Sequence, residues 1–172
     1  MGQPIFLTIF FGLFLAIGLL ILGFGARSLY MSKLAESWPT VQGRIISSDF
    51  ETSTDSDGDT TYRANISYEY DVMGRRLTSD RVAFGYSGSS SYGFHKEIHD
   101  ALPAGATVAV RYDPSKPERA ALSYGLNQSI LFLLIFGAVW TFFTVGMIAM
   151  FWISEQGAGG LLQNMNVYDR PQ

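Results

Sequence analysis

Two long uncharged apolar stretches flank a segment in which apolar and polar residues alternate. No charged side chain occurs between Met1 and Ala26, and that segment contains the run "IFLTIFFGLFLAIGLLILGFGA". The second run, "ILFLLIFGAVWTFFTVGMIAMFWI", is also uncharged. Both exceed the roughly 20 apolar residues that cross a hydrocarbon core. Because no water satisfies backbone groups there, both runs predict transmembrane helices.

A cleaved signal peptide is the alternative for the first run. The run lacks the basic segment that precedes a signal sequence and is longer than its usual apolar stretch, so we interpret it as an anchor. Small residues stand four apart in each run, as Gly12 with Ala16 and Gly137 with Thr141. This spacing predicts close packing between the two spans.

The segment between the runs has the period of β-strands. In "TYRANISYEYDV" the apolar and aromatic residues occupy alternate positions and the polar residues occupy the others. The stretches "VQGRIISSDFE", "RRLTSDRVAFG", "ATVAVRYDP" and "RAALS" predict further strands. Phe94, Ile98 and Leu102 recur at helical spacing and predict one short helix, ended by Pro103 and Gly105.

The predicted fold is a mainly β soluble domain with one short helix, inserted between two transmembrane α-helices. A small antiparallel barrel or sandwich would remove the exposed strand edges. We expect a first transmembrane helix over residues 1–30, a linker over 31–37 and the β domain over 38–124. A second transmembrane helix over 125–154 and a disordered tail over 155–172 complete the organisation.

Charge and composition exclude several classes of protein. The chain has no cysteine, which rules out disulfides and thiol chemistry. Residues 38–123 carry nine basic and twelve acidic side chains, whereas a nucleic-acid-binding surface needs a basic excess. No ionisable residue lies within either apolar run, which argues against an ion or proton path.

The stretch "DSDGD" is the first candidate metal site, since Asp55, Asp57 and Asp59 alternate. An EF-hand loop needs glycine at its sixth position and glutamate at its twelfth, and this loop has neither. We expect a solvated hairpin loop, with a weak cation site as the alternative.

His95 and His99 are the second candidate metal site, because their spacing places both on one helix face. Lys96 stands where a zinc-protease helix needs glutamate, so we expect an exposed helix face with ordinary histidines. The serine cluster 87–91 lacks the G-x-S-x-G elbow of a nucleophilic serine and is expected to form a flexible or contact loop.

Three quoted segments resemble the bacterial domain-of-unknown-function family 3592. They are "WPTVQGRI", "YEYDVMG" and "AGATVAVRYDPSKPERAAL", in this order and framed by two apolar runs. Asp113 stands where members usually have asparagine before the proline. The resemblance implies a membrane-anchored small β domain and no catalytic residues.

We expect a non-enzymatic protein without cofactors that associates with the bilayer and binds a protein partner or supports a membrane complex. A homo-oligomer is left open. The candidate contact residues lie in the two central loops: Asp55, Asp57, Asp59, Tyr86, Ser89 and Tyr92. The alternatives are an immunity-type protein against a membrane-acting toxin and a metal-binding sensor using His95 and His99.

The expected location is the bacterial inner membrane. Arg27, Lys33, Lys116 and Arg119 flank the spans on the side of the β domain, and Arg170 alone follows the second span. The positive-inside rule therefore favours a cytoplasmic β domain.

Overall fold

A computed structural model describes residues 5–163, with side chains as far as Ser154. The order of elements is α1 (Ile5–Glu36), β1 (Thr40–Thr54), β2 (Thr60–Val72), β3 (Arg75–Ser79), α2 (Tyr92–Ala101), β4 (Thr107–Asp113), β5 (Lys116–Ala121) and α3 (Gln128–Gln163). The chain divides into two compact units. One is Gly23–Leu134, called the β unit below, and the other comprises the described residues before and after it.

The segments Ile5–Glu36 and Gln128–Ser154 are long and apolar enough to cross a membrane, with mean hydropathies of 2.9 and 2.3 over their most apolar 18-residue windows. Only 6% and 17% of their most apolar windows are buried in the protein, so neither is the core helix of a soluble domain. The two helices together suggest a membrane protein.

The two long helices also pack on each other, through small residues. A side chain at Gly18 would meet the Thr141 hydroxyl at 2.5 Å, and one at Gly137 would meet the Leu22 backbone nitrogen at 3.0 Å. The Trp140 indole donates to the Phe14 carbonyl oxygen at 2.9 Å. Packing between the spans is thus confirmed, although nothing lies within 4 Å of a side chain built at Gly12.

The helices extend beyond the predicted spans. The expected linker 31–37 is helical as far as Glu36, because Met31 and Ala35 lie one turn apart on a face that packs against Trp38 and Phe84. The helix α3 continues to Gln163, into the segment expected to be a disordered tail. The remainder of that segment, residues 164–172, lies outside the described residues.

All five strands form one antiparallel sheet in the order β3-β2-β1-β4-β5. The alternation predicted for β2 is confirmed, since Ala64, Ile66, Tyr68, Tyr70 and Val72 are buried. The helix α2 packs on the same face through Ile98 and Leu102, as its sequence spacing predicted.

The β-rich unit with one short helix is confirmed, but the predicted barrel or sandwich is wrong because the single sheet stays open. The two edge strands, β3 and β5, meet only through side chains, including an Arg75–Glu118 ion pair at 3.3 Å. Pro117 in β5 has no N–H group for a ladder. Charged residues at both edges also oppose further strand pairing.

Candidate functional site

The acidic turn, residues 55–59, joins β1 to β2 as a hydrogen-bonded hairpin loop. The Asp55 Oδ1 atom accepts the backbone N–H groups of Asp57 and Asp59, each at 3.0 Å. Gly58 has a φ of 90°, which suits glycine. In the described part of the chain none of the three aspartates forms an ion pair, and all three are exposed. The turn is therefore a rigid, exposed and unneutralised patch of negative charge.

The two histidines occupy different environments, so the expectation of one exposed histidine face is wrong for His95. His95 is fully buried, whereas 28% of the His99 side chain is exposed. His99 Nδ1 lies 3.0 Å from Asp100 Oδ1, and Lys96 also contacts that carboxylate oxygen. The hydrogen bond from Lys96 has the larger effect and that from His99 the smaller, and both lower the pKa of Asp100. Among the described residues no group of three metal-ligating side chains could hold an ion.

Both ring nitrogens of His95 have hydrogen-bond partners in the preceding loop. The Tyr86 hydroxyl lies 2.9 Å from Nδ1, and Ser89 Oγ lies 2.8 Å from Nε2. We call this group of three side chains the histidine clamp. The clamp brings together two candidate contact residues and one candidate metal ligand from the sequence, and ties the serine loop (residues 85–91) to α2.

The backbone of Ser89 is fixed as well. Its N–H donates to the Tyr62 carbonyl oxygen at 3.1 Å, and its own carbonyl accepts the Tyr62 N–H at 2.8 Å. These two hydrogen bonds form an isolated bridge on β2, before the residues of β2 that pair with β3. The serine loop is therefore held by backbone and side chain together, and is not the flexible loop that its composition suggests.

The hydrogen bonds around Tyr86 allow two tautomers of His95. The Tyr86 oxygen accepts the Ala64 N–H at 3.0 Å, so its own proton can go to His95 Nδ1 at 2.9 Å or to the Ala64 carbonyl at 3.4 Å. In the first case Nε2 is protonated and donates to Ser89 Oγ; in the second, Nδ1–H donates to Tyr86 and Nε2 accepts from Ser89 Oγ. In both cases the imidazole ties the serine loop to α2, and its Nδ1 contacts a tyrosine and not the carboxylate that orients the base of a Ser-His-Asp triad.

Burial shifts the pKa values of both His95 and Tyr86. Desolvation lowers the pKa of His95, and the positive charge of Arg63 adds to the effect. Desolvation also raises the pKa of the Tyr86 hydroxyl. Both groups are consequently neutral at pH 7, the state in which each can donate one proton and accept another.

Tyr92, by contrast, remains on the surface with 51% of its area exposed. Its ring meets Phe50 edge-on at 5.5 Å and Tyr62 edge-on at 5.1 Å, and Phe50 stacks on Tyr62 at 6.0 Å. The His99 ring lies 5.8 Å from Phe50. Tyr62 follows the acidic turn by three residues, so the aromatic cluster lies further along the hairpin that the turn closes.

A groove of about 460 Å³ lies between the serine loop and the first residues of α3. Ser87, Ser90 and Ser91 line one side, and Gln128 and Ser129 line the other. Apolar side chains of α2 and α3 close the remainder. We call this the hydroxyl groove. The groove could not be predicted from the sequence, because it depends on where α3 begins relative to the loop.

The spacing of residues in α2 indicates the burial of His95, although we predicted an exposed histidine. His95, Ile98 and Leu102 recur at i, i+3 and i+7, which fits the buried stripe of α2 once the histidine is neutral. Tyr86 and Ser89 supply the two partners that neutral burial requires, but their approach to the ring cannot be inferred from spacing.

The comparisons with known proteins identify one family. A model described as a domain of unknown function, DUF3592, matches residues 41–127, just over half of the chain. The matched region covers the five strands, apart from Thr40 at the start of β1, and the short helix. No curated protein matches the chain.

Proposed function

We propose that this chain, which belongs to the domain-of-unknown-function family DUF3592, is a non-enzymatic membrane-anchored protein that binds a protein partner. Two apolar helices provide the anchor, and the matched residues 41–127, which lie within the β unit, carry the partner-binding side chains.

The observation that carries the proposal is the presence of the acidic turn and the aromatic cluster of Phe50, Tyr62 and Tyr92 along one hairpin, with Tyr92 supplied by α2. We call the two together the partner surface. Tyrosine is enriched at protein interfaces because it offers a large amphipathic area at low entropic cost. The turn is held by its own hydrogen bonds, so binding would order few additional groups.

The charge of the partner surface indicates the chemistry of the partner. Three carboxylates without ion pairs attract a basic segment and raise its association rate. The aromatic rings of the cluster can receive a lysine or arginine side chain over their faces. We therefore propose a partner with an exposed basic segment.

Two observations support a role without catalysis. The clamp lacks the carboxylate that orients a catalytic histidine, since His95 Nδ1 contacts the Tyr86 hydroxyl. The candidate spans contain no ionisable residue within their uncharged runs, so they offer no relay for protons or ions.

The membrane proposed is the bacterial inner membrane, with the β unit on the cytoplasmic side. Arg27 and Lys33 near the end of α1 support this orientation, because basic residues flanking a span favour the cytoplasm.

Site-specific photocrosslinking in producing cells tests the partner surface. A benzoylphenylalanine at Tyr92 replaces one exposed aromatic ring with another. The matched control carries the same group at Met73, which is 87% exposed on the β2–β3 turn. We expect a discrete crosslinked species from position 92 and none of the same mass from position 73.

The charge dependence completes the test. The double change Asp57→Lys and Asp59→Lys should abolish the crosslink from position 92, because a basic partner would then be repelled. A crosslink that persists after charge reversal, or that appears equally at position 73, would contradict the proposal.

A further inference from the structure

We propose that the hydroxyl groove binds the headgroup of a membrane lipid that carries an uncharged sugar. This site shares no residue with the partner surface. Three features support the proposal: the polar lining of the groove, its lack of charged residues and its position at the start of α3.

The polar lining of the groove has unused hydrogen-bonding capacity. Within the described residues, the side chains of Ser87, Ser90, Ser91, Gln128 and Ser129 form no hydrogen bond. Ser91 occupies the N-cap position of α2 without capping it. These hydroxyl and amide groups both donate and accept, as the hydroxyls of a sugar do.

The absence of charged residues from the groove indicates which class of headgroup fits it. None of its lining residues is acidic or basic. A phosphate group is normally held by arginine or lysine, so an anionic phospholipid would find no counter-charge here. An uncharged headgroup rich in hydroxyls matches the lining.

The apolar side of the groove indicates a lipid rather than a free sugar. Phe132 and Leu133 line it, and both belong to the candidate span Gln128–Ser154. They follow the polar residues Gln128 and Ser129 by one turn, so the groove passes from polar to apolar along α3. A lipid whose headgroup meets the serines would place its acyl chains beside the apolar start of the span.

The groove has the size and rigidity of a binding site. Its volume of about 460 Å³ falls within the roughly 300–1,000 Å³ of small-molecule sites. The histidine clamp fixes the serine loop that forms one wall. The hydroxyl groups are therefore placed before a ligand arrives, which favours affinity.

Lipid retention by the purified full-length chain tests the proposal. The chain in detergent micelles is mixed with monoglucosyl diacylglycerol, phosphatidylglycerol or unglycosylated diacylglycerol, and retained lipid is measured by native mass spectrometry. We expect retention of the glucosyl lipid at least about tenfold tighter than that of either other lipid, the equivalent of one or two good hydrogen bonds.

Matched serine variants locate the site. The double change Ser90→Ala and Ser129→Ala should weaken binding of the glucosyl lipid about tenfold. Ser53→Ala, at an exposed serine outside the groove, should leave it unchanged. Thermal unfolding of each variant confirms that the β unit remains folded. Equal retention of all three lipids, preference for phosphatidylglycerol, or unchanged binding by the folded double variant would overturn the proposal.

Discussion

Replacing His95 with alanine should release the serine loop from α2 and destabilise the β unit. The imidazole is fully buried and makes hydrogen bonds to Tyr86 and Ser89. Its removal leaves the Tyr86 hydroxyl without its closest hydrogen-bond partner and leaves space beneath the loop. Both effects act on the wall of the hydroxyl groove.

The magnitude follows from these two losses. Two neutral hydrogen bonds contribute about 1 kcal/mol each in net terms. The space left by a buried ring adds about 1–2 kcal/mol, at the low end of large-to-small substitutions because the loop can relax. The expected loss is therefore about 3–4 kcal/mol. His99→Ala is the matched control, and its partly exposed ring should cost less than about 1 kcal/mol.

Two assays on the full chain in detergent read the effect. Thermal unfolding reports the stability of the β unit, and hydrogen exchange of the amides in residues 85–91 reports the local opening of the loop. In His95→Ala the loop amides should exchange faster and the unfolding temperature should fall. His99→Ala should change neither by a comparable amount.

The pH dependence gives an independent check. The pKa of His95 in the folded chain lies below its ordinary value of 6.5 because burial opposes the charged form. The unfolded chain therefore binds more protons in the interval between the two values. This contribution is present above pH 6.5 and is lost as the pH falls through the folded pKa. His95→Ala should show a weaker acid dependence than the wild type. Equal destabilisation by both alanine variants, with unchanged acid dependence, would refute the clamp.

Three further predictions concern single side chains. Tyr68→Phe removes a buried hydroxyl donor to a backbone carbonyl at 2.9 Å and should cost about 1–2 kcal/mol in thermal unfolding; no loss would contradict this. Gly18→Ala should weaken the contact with Thr141 and lower thermal stability in detergent, whereas Gly12→Ala should be silent; equal effects would contradict the packing. Met73→Gly should raise the unfolding temperature slightly, because Met73 has a φ of 51° that glycine adopts without strain; a lower temperature would contradict this.

The sheet could be predicted from the sequence to the extent that local pattern determines it. The alternation in β2 follows directly from one buried face, and the glycine after Met73 marks its turn. The open edge could not be predicted, because it depends on how β3 meets β5 in space. Pro117 and the charged residues of β5 are the features of the sequence that favour an end of strand pairing at this edge.

The candidate site was predicted only in part. The acidic turn was correctly placed in a hairpin, since its residues favour turns and adjoin two alternating strands. The burial of His95 was missed because histidine on a short helix is more often exposed. Residues 31–37 were treated as a linker because the segment is polar. Ser32 within it is nevertheless buried and donates to the Gly125 carbonyl oxygen at 2.7 Å.

We propose that the second long helix crosses a membrane and that the β unit lies on the cytoplasmic side. Cysteine accessibility tests this proposal directly, because the native chain contains no cysteine. Single cysteines are placed at Asp57 in the acidic turn and at Ser154 at the end of the candidate span, and cells are treated with a membrane-impermeant maleimide. We expect labelling of Ser154→Cys in intact cells and of Asp57→Cys only after lysis. Labelling of both positions from the same side would show that the helix does not cross the membrane.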